Sequence, residues 1–164
     1  MGIHTRSRHY LRSSDAKKII KELGKAFGPS DIGEVFKGKR FELVTTDVCD
    51  IILVEDVPMI FMPDGEPFLT VRGALEVKPD ARIVVVDTGA TRFVVNGADV
   101  MRPGIVQADP DIKAGDLVII IEEAHRKALA IGRALISGDE MIGDSGKAIK
   151  ALHYVGDTIW KVTR

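Results

Sequence analysis

The chain has 164 residues, 45% of them hydrophobic and 29% charged, with a net charge of −1. These proportions describe an ordinary soluble globular protein with enough length for one sizeable core or two small ones, and they exclude a disordered chain. No apolar run approaches the ~20 residues that span a bilayer, the basic N-terminus has no apolar core of a secretory signal behind it, and the single cysteine, Cys49, excludes an internal disulfide framework and fits a reducing cytoplasm.

The near-neutral total hides an asymmetry. Residues 1 to 28 carry Arg6, Arg8, Arg12, Lys17, Lys18, Lys21 and Lys25 against Asp15 and Glu22, and the rest of the chain is acidic. A basic end of this kind either faces a polyanion or is a solvated helix face behind a basic tail, and composition leaves both readings open. His4 and His9 lie five apart with no cysteine or carboxylate cluster nearby, so no metal site is expected there. Arginines beside Tyr10 suit either a phosphate-and-base surface or an edge strand.

Ser13 or Ser14 then reads as the cap of a helix from about Asp15 to Phe27. Ala16, Ile19, Ile20, Leu23, Ala26 and Phe27 form one stripe, the lysines lie elsewhere on the cylinder, and Gly28-Pro29 stops the helix. From Lys39 the periodicity changes to strands: Phe41 to Val44, Cys49 to Val54 and Pro58 to Met62, with turns at Glu55-Asp56 and Pro63-Asp64-Gly65. A short helical turn over Leu69 to Leu75 completes an expected α+β lobe on a small antiparallel sheet, residues 1–76.

Residues 77 to 80 link this lobe to a second domain, 77–164, that is expected to be mostly β. Arg82 to Val86 is an apolar strand, Asp87 or Thr88 caps a helix with a stripe of Ala90, Phe93 and Val94, and Gly97 stops it. Pro103-Gly104 turns the chain into Ile105 to Ala108. Leu117 to Ile121 and Ala128 to Ile136 flank a charged hairpin, and a polar loop, Ser137 to Gly146, leads to a strand near Ala148 to His153. Short strands with turns at close intervals argue a barrel or sandwich.

Val86-Asp87, Gly89-Ala90, Gly97-Ala98, Met101, Pro103-Gly104-Ile105, Gly115-Asp116, Ala130-Ile131-Gly132, Ala134, Gly146-Lys147, His153, Asp157 and Trp160 occur in an order that resembles a PUA domain, a small RNA-binding barrel. With Arg8-His9-Tyr10-Leu11, Ser13-Ser14-Asp15 and Pro67-Phe68-Leu69-Thr70 ahead of it, the whole chain is similar to the two-lobe family of the malignant T-cell amplified sequence protein and its translation-machinery-associated relatives. The resemblance implies an α+β lobe followed by a PUA pseudo-barrel, and a tRNA or rRNA ligand held in part by its 3′ end. It also implies the small ribosomal subunit and an initiation-factor-like protein as partners.

Carried over position by position, the implied groove floor is Gly97, Ala98, Asp99, Val100, Met101, Arg102, Pro103 and Gly104. Small residues there let a nucleotide approach the backbone. Arg92 and Arg102 are expected on phosphate, with Lys147 and Lys150 from the far wall. The bland alternatives are glycines that only permit turns and a Met101 that fills the core. Arg6, Arg8, Arg12, Lys17 and Lys18 form a secondary basic surface. His153 and Trp160 are expected to pack the barrel closed, and Asp157 to hold a turn.

Carboxylates are plentiful, but nothing ties a pair into an acid–base arrangement, and there is no nucleophile-elbow spacing or phosphate loop, so no catalysis and no cofactor are expected. Asp109-Pro110 resembles a fragment of pseudouridine synthase catalytic loops, but its surroundings do not match and a turn is the expected role. The function expected is a non-catalytic RNA-binding protein of translation initiation or ribosome recycling. The alternatives are a targeting subunit for an RNA-modification enzyme and a protein-interaction module.

Overall fold

The computed structural model describes residues 2–163. The chain divides into two compact units, one running to Lys78 and taking back the segment from Thr158, the other spanning Pro79–Asp157. Residues 158–163, which follow the barrel in sequence, therefore group with the first unit.

In the first unit a five-stranded antiparallel meander runs β1 (Thr5–Tyr10), β2 (Phe41–Thr46), β3 (Asp50–Val54), β4 (Val57–Met62) and β5 (Phe68–Leu69), in that spatial order. Helices α1 (Ser13–Phe27), α2 (Pro29–Phe36) and α3 (Val71–Val77) belong to the same unit. The α1 stripe buries Leu23 and Phe27 while its lysines stay exposed, as 3.6-residue periodicity requires. Two aromatic pairs tie helices to strands: Phe27 with Phe68 at 5.0 Å and Phe36 edge-on to Phe41 at 5.9 Å between ring centroids.

Three local expectations change here. Neither serine caps α1: Arg12 occupies the cap position with no side-chain cap bond, and its guanidinium instead pairs with Asp15 at 3.5 Å. Gly28-Pro29 ends α1 but also begins α2, a helix the periodicity reading leaves unassigned. Gly28 has φ +88°, and its N–H donates to the Gly24 carbonyl, while proline is well suited to the first helical position, where no N–H partner is needed. The third change concerns Trp160. It groups with the first unit, where its ring lies under the Arg72 guanidinium at 3.7 Å and its carbonyl accepts from Arg72 Nε at 3.0 Å.

The second unit is a six-stranded mixed sheet curled into a nearly closed barrel. It contains β6 (Ile83–Val86), α4 (Thr88–Val94), β7 (Val100–Met101), β8 (Ile105–Ala108), β9 (Leu117–Glu122), β10 (Ala128–Ala134) and β11 (Lys147–Tyr154). The spatial order is β7-β11-β10-β9-β6-β8, with β6 parallel to β9 and the other neighbours antiparallel. Val84, Val86, Val118, Ile120, Ile149 and their neighbours fill the interior. His153 is fully buried, its Nδ1 2.9 Å from both carboxylate oxygens of Asp157, and Asp157 also accepts from the Tyr154 N–H, so it holds the turn that follows β11.

Candidate nucleic-acid interface

The candidate residues lie on α4, on the 97–104 segment that contains β7, and on β11, which pairs with β7. Asp87 starts α4 by accepting from the Ala90 N–H at 2.8 Å, and the Thr91 hydroxyl donates back to the Asp87 carbonyl. The helix ends when the Gly97 N–H donates to Val94 and the Ala98 N–H to Phe93, a geometry that needs φ +89° at Gly97. A side chain at Gly97 would also collide with the Tyr154 ring, 2.7 Å from the place of a Cβ. A Cβ at Gly104 would stand 2.7 Å from that of Ala90, and the Gly104 carbonyl accepts from the Asp87 N–H. Both glycines therefore have structural work, and they also keep side chains off this face.

From Ala98 the chain enters β7, where Met101 pairs with Lys147 of β11. Asp99 crosses the same gap: it accepts from the Ala151 N–H at 2.8 Å and from Lys147 Nζ at 2.9 Å. The lysine bond, then the backbone bond, holds the Asp99 carboxyl below the usual carboxylate range. Lys147 is thus partly neutralised, although half its side chain faces solvent. Lys150 and Arg92 are exposed and have no ion-pair partner among the described residues. The Arg92 guanidinium lies 4.8 Å from the Phe93 ring centroid.

Arg102 is placed differently. Its guanidinium donates to the carbonyls of Ile142 at 3.1 Å and Ser145 at 3.3 Å, and its own N–H donates to Gly146. It clamps the 137–146 loop to the turn after β7. Two apolar expectations are corrected as well. Met101 is 47% exposed rather than core, and Phe93 is 55% exposed, outside the buried part of the α4 stripe. Ile142, at the clamped loop, is exposed too.

Phe93 and Arg92 are exposed together on α4, and Met101 is exposed on β7 opposite Lys147 of β11. Sequence reasoning missed Phe93, Ile142 and Tyr154. Phe93 and Val94 are adjacent, so only one can point fully inward on a single-turn stripe, and that conflict was the available signal. Asp109 holds a turn, accepting from the N–H groups of Arg82 and Asp111.

In the first unit the secondary basic surface is divided. Arg8 lies 3.9 Å from Glu42 and donates to the Thr163 carbonyl, and Arg12 pairs with Asp15. Arg6, Lys17 and Lys18 are exposed and carry no ion pair among the described residues.

The second unit defines a PUA-domain protein: residues 82–155 match the PUA domain family. The chain as a whole belongs to the two-lobe PUA family of translation machinery-associated protein 20 and the malignant T-cell-amplified sequence proteins. It is 46% identical over 157 residues to an uncharacterised protein of Methanocaldococcus jannaschii, covering 94% of this chain and 96% of that one. It is 27% identical to translation machinery-associated protein 20 of Saccharomyces cerevisiae, across 96% of this chain and 92% of the yeast protein. Its fold is similar to the crystal structure of a hypothetical protein from Pyrococcus horikoshii, with TM-score 0.86 and 40% identity over 96% of this chain and 100% of that one.

Proposed function

We propose that this protein is a non-catalytic RNA-binding protein of the cytoplasmic translation machinery, and that its second unit holds an unpaired end of a tRNA across α4, the 97–104 segment and β11. The observation that carries the reading is the exposure of two apolar side chains, Phe93 and Met101, together with two exposed cations that form no ion pair among the described residues, Arg92 and Lys150. That combination suits single-stranded nucleic acid, since each base offers an apolar face and each linkage a phosphate. The PUA match and the translation-associated name of the yeast relative support the choice of RNA and of process. The small ribosomal subunit and an initiation-factor-like protein are the partners this role calls for.

The test is a titration with bulk tRNA at several salt concentrations, repeated with tRNA trimmed of its 3′-terminal nucleotides. Loss of binding on trimming is the expected result. Equal affinity for both forms moves the contact to the tRNA body, and absence of any salt-dependent binding overturns the RNA reading, because phosphate contacts release counterions.

A further inference from the structure

The first unit holds a cavity of about 520 Å³ lined by α1, α2 and the approach to β2, a size that admits one large side chain or a small ligand. Its floor is apolar, with the half-buried Leu11, Ala16 and Ile20. Its rim carries Lys17, Lys37 and Lys39, all exposed and without an ion-pair partner among the described residues.

Gly33 lines the same cavity, and its place is unusual. It sits inside α2 with no positive φ, and a Cβ added there would meet nothing within 4 Å. Glycine inside a helix is unfavourable relative to alanine, and here neither backbone conformation nor packing requires it. The space that a side chain would take at Gly33 is left empty beside the cavity.

We infer that this cavity docks a short acidic peptide segment of a partner protein, anchored by one large apolar side chain on the floor with its carboxylates on Lys17, Lys37 and Lys39. The lining favours a peptide over a nucleotide. Apart from Tyr10, Ser13 is the only side chain in it that can accept a hydrogen bond, so the donor groups of a buried base edge would find few partners. Phe36 and Phe41 are 1% and 2% exposed and offer no ring face for stacking. Tyr10, 45% exposed, leaves a single accessible ring in the lining, with the Arg40 guanidinium 5.4 Å from its centroid. An apolar anchor needs no polar partner, and unpaired lysines complement flanking carboxylates. The inference concerns the first unit and does not rest on the RNA reading of the second.

The test is fluorescence anisotropy on the full chain with a labelled nonapeptide of Asp and Glu around a central Phe. Controls are the same peptide with central Ala, its Lys-substituted counterpart and a labelled oligouridine. The Phe peptide is expected to bind about tenfold or more tightly than the Ala peptide, as burial of a large apolar side chain implies, and to weaken with salt. Gly33→Leu fills the cavity from an unstrained position and is expected to weaken the Phe peptide at least tenfold with its helical signal kept. The triple change Lys17→Glu, Lys37→Glu, Lys39→Glu is expected to abolish binding independently, from exposed positions. No binding of the Phe peptide up to millimolar concentration, equal binding of the Phe and Ala peptides, or unchanged affinity in both variants overturns the inference. Oligouridine binding that Gly33→Leu weakens, with no binding of the Phe peptide, overturns it in favour of nucleic acid.

Discussion

Arg102 separates two roles that a cation on a nucleic-acid surface can play. The perturbation is Arg102→Met, which keeps most of the apolar stem and removes the guanidinium. In the structure that group makes two bonds to loop carbonyls, at 3.1 and 3.3 Å, while its buried Nε has no hydrogen-bond partner. Two such bonds contribute about 2 kcal/mol together, and relief of the unpaired Nε returns roughly 1 kcal/mol of that. The net loss expected is ~1 kcal/mol, or about 4–8 °C in the midpoint of a domain this size. Thermal unfolding followed by circular dichroism measures it, and salt-dependent tRNA titration measures the second role. A clamp lowers the midpoint and leaves the salt slope within error at a temperature where the variant is folded. An unchanged midpoint with the slope flattened by ~0.7, the value of one single-strand phosphate contact, refutes the assignment and puts the guanidinium on phosphate.

Other positions give complementary readouts. Arg92→Ala with Lys150→Ala changes stability by no more than ~0.5 kcal/mol, since both are exposed, and flattens the tRNA salt slope by about 1.4 if each meets one phosphate; an unchanged slope in the folded double variant removes both from the interface. Phe93→Ala with Met101→Ala weakens tRNA binding by ~1–3 kcal/mol for each base that loses its stacking surface, with unfolding in urea little altered; full affinity would show that no base rests there. Gly97→Ala meets both an unfavourable φ and the Tyr154 ring, so it destabilises by about 1–3 kcal/mol, read as a lower urea midpoint; wild-type stability would contradict the close approach. Asp99 has a lowered pKa in the folded state, so its stabilisation is present above the ordinary carboxylate range near pH 4 and disappears as pH falls through the depressed value. Asp99→Asn therefore costs stability at pH 7 and converges with the wild type at the acid end of a urea series; parallel curves at all pH would remove the Lys147 pairing as the cause.

Much of the architecture was legible because it rests on local rules. Period-two and period-3.6 patterns located β2, β3, β4, β6, β9, β10, β11 and helix α1, while β1 stayed one of two readings and the two-residue strands β5 and β7 went unassigned; the Asp87 cap and the Gly97 stop bounded α4. Helix α2 escaped because Gly28-Pro29 is a stop for one helix and a start for the next, and an eight-residue segment carries too few turns for its period to announce itself.

The interface divides along the same line. Residue types near α4 and β11, and the small residues between them, were visible in the order of motifs. What each cation does was not, because charge pairing depends on partners distant in sequence: Asp99 meets Lys147, Arg102 meets Ile142 and Ser145, and Arg8 meets Glu42 and Thr163. Burial is decided in the same way. Phe93, Met101 and Trp160 are all apolar enough for a core, yet the first two face solvent and the third meets Arg72 of the first unit. Local sequence specifies helix, strand and turn through dihedral preferences within a few residues. Which of two apolar neighbours turns inward, and which lysine keeps its charge free, is settled only when remote segments close around them.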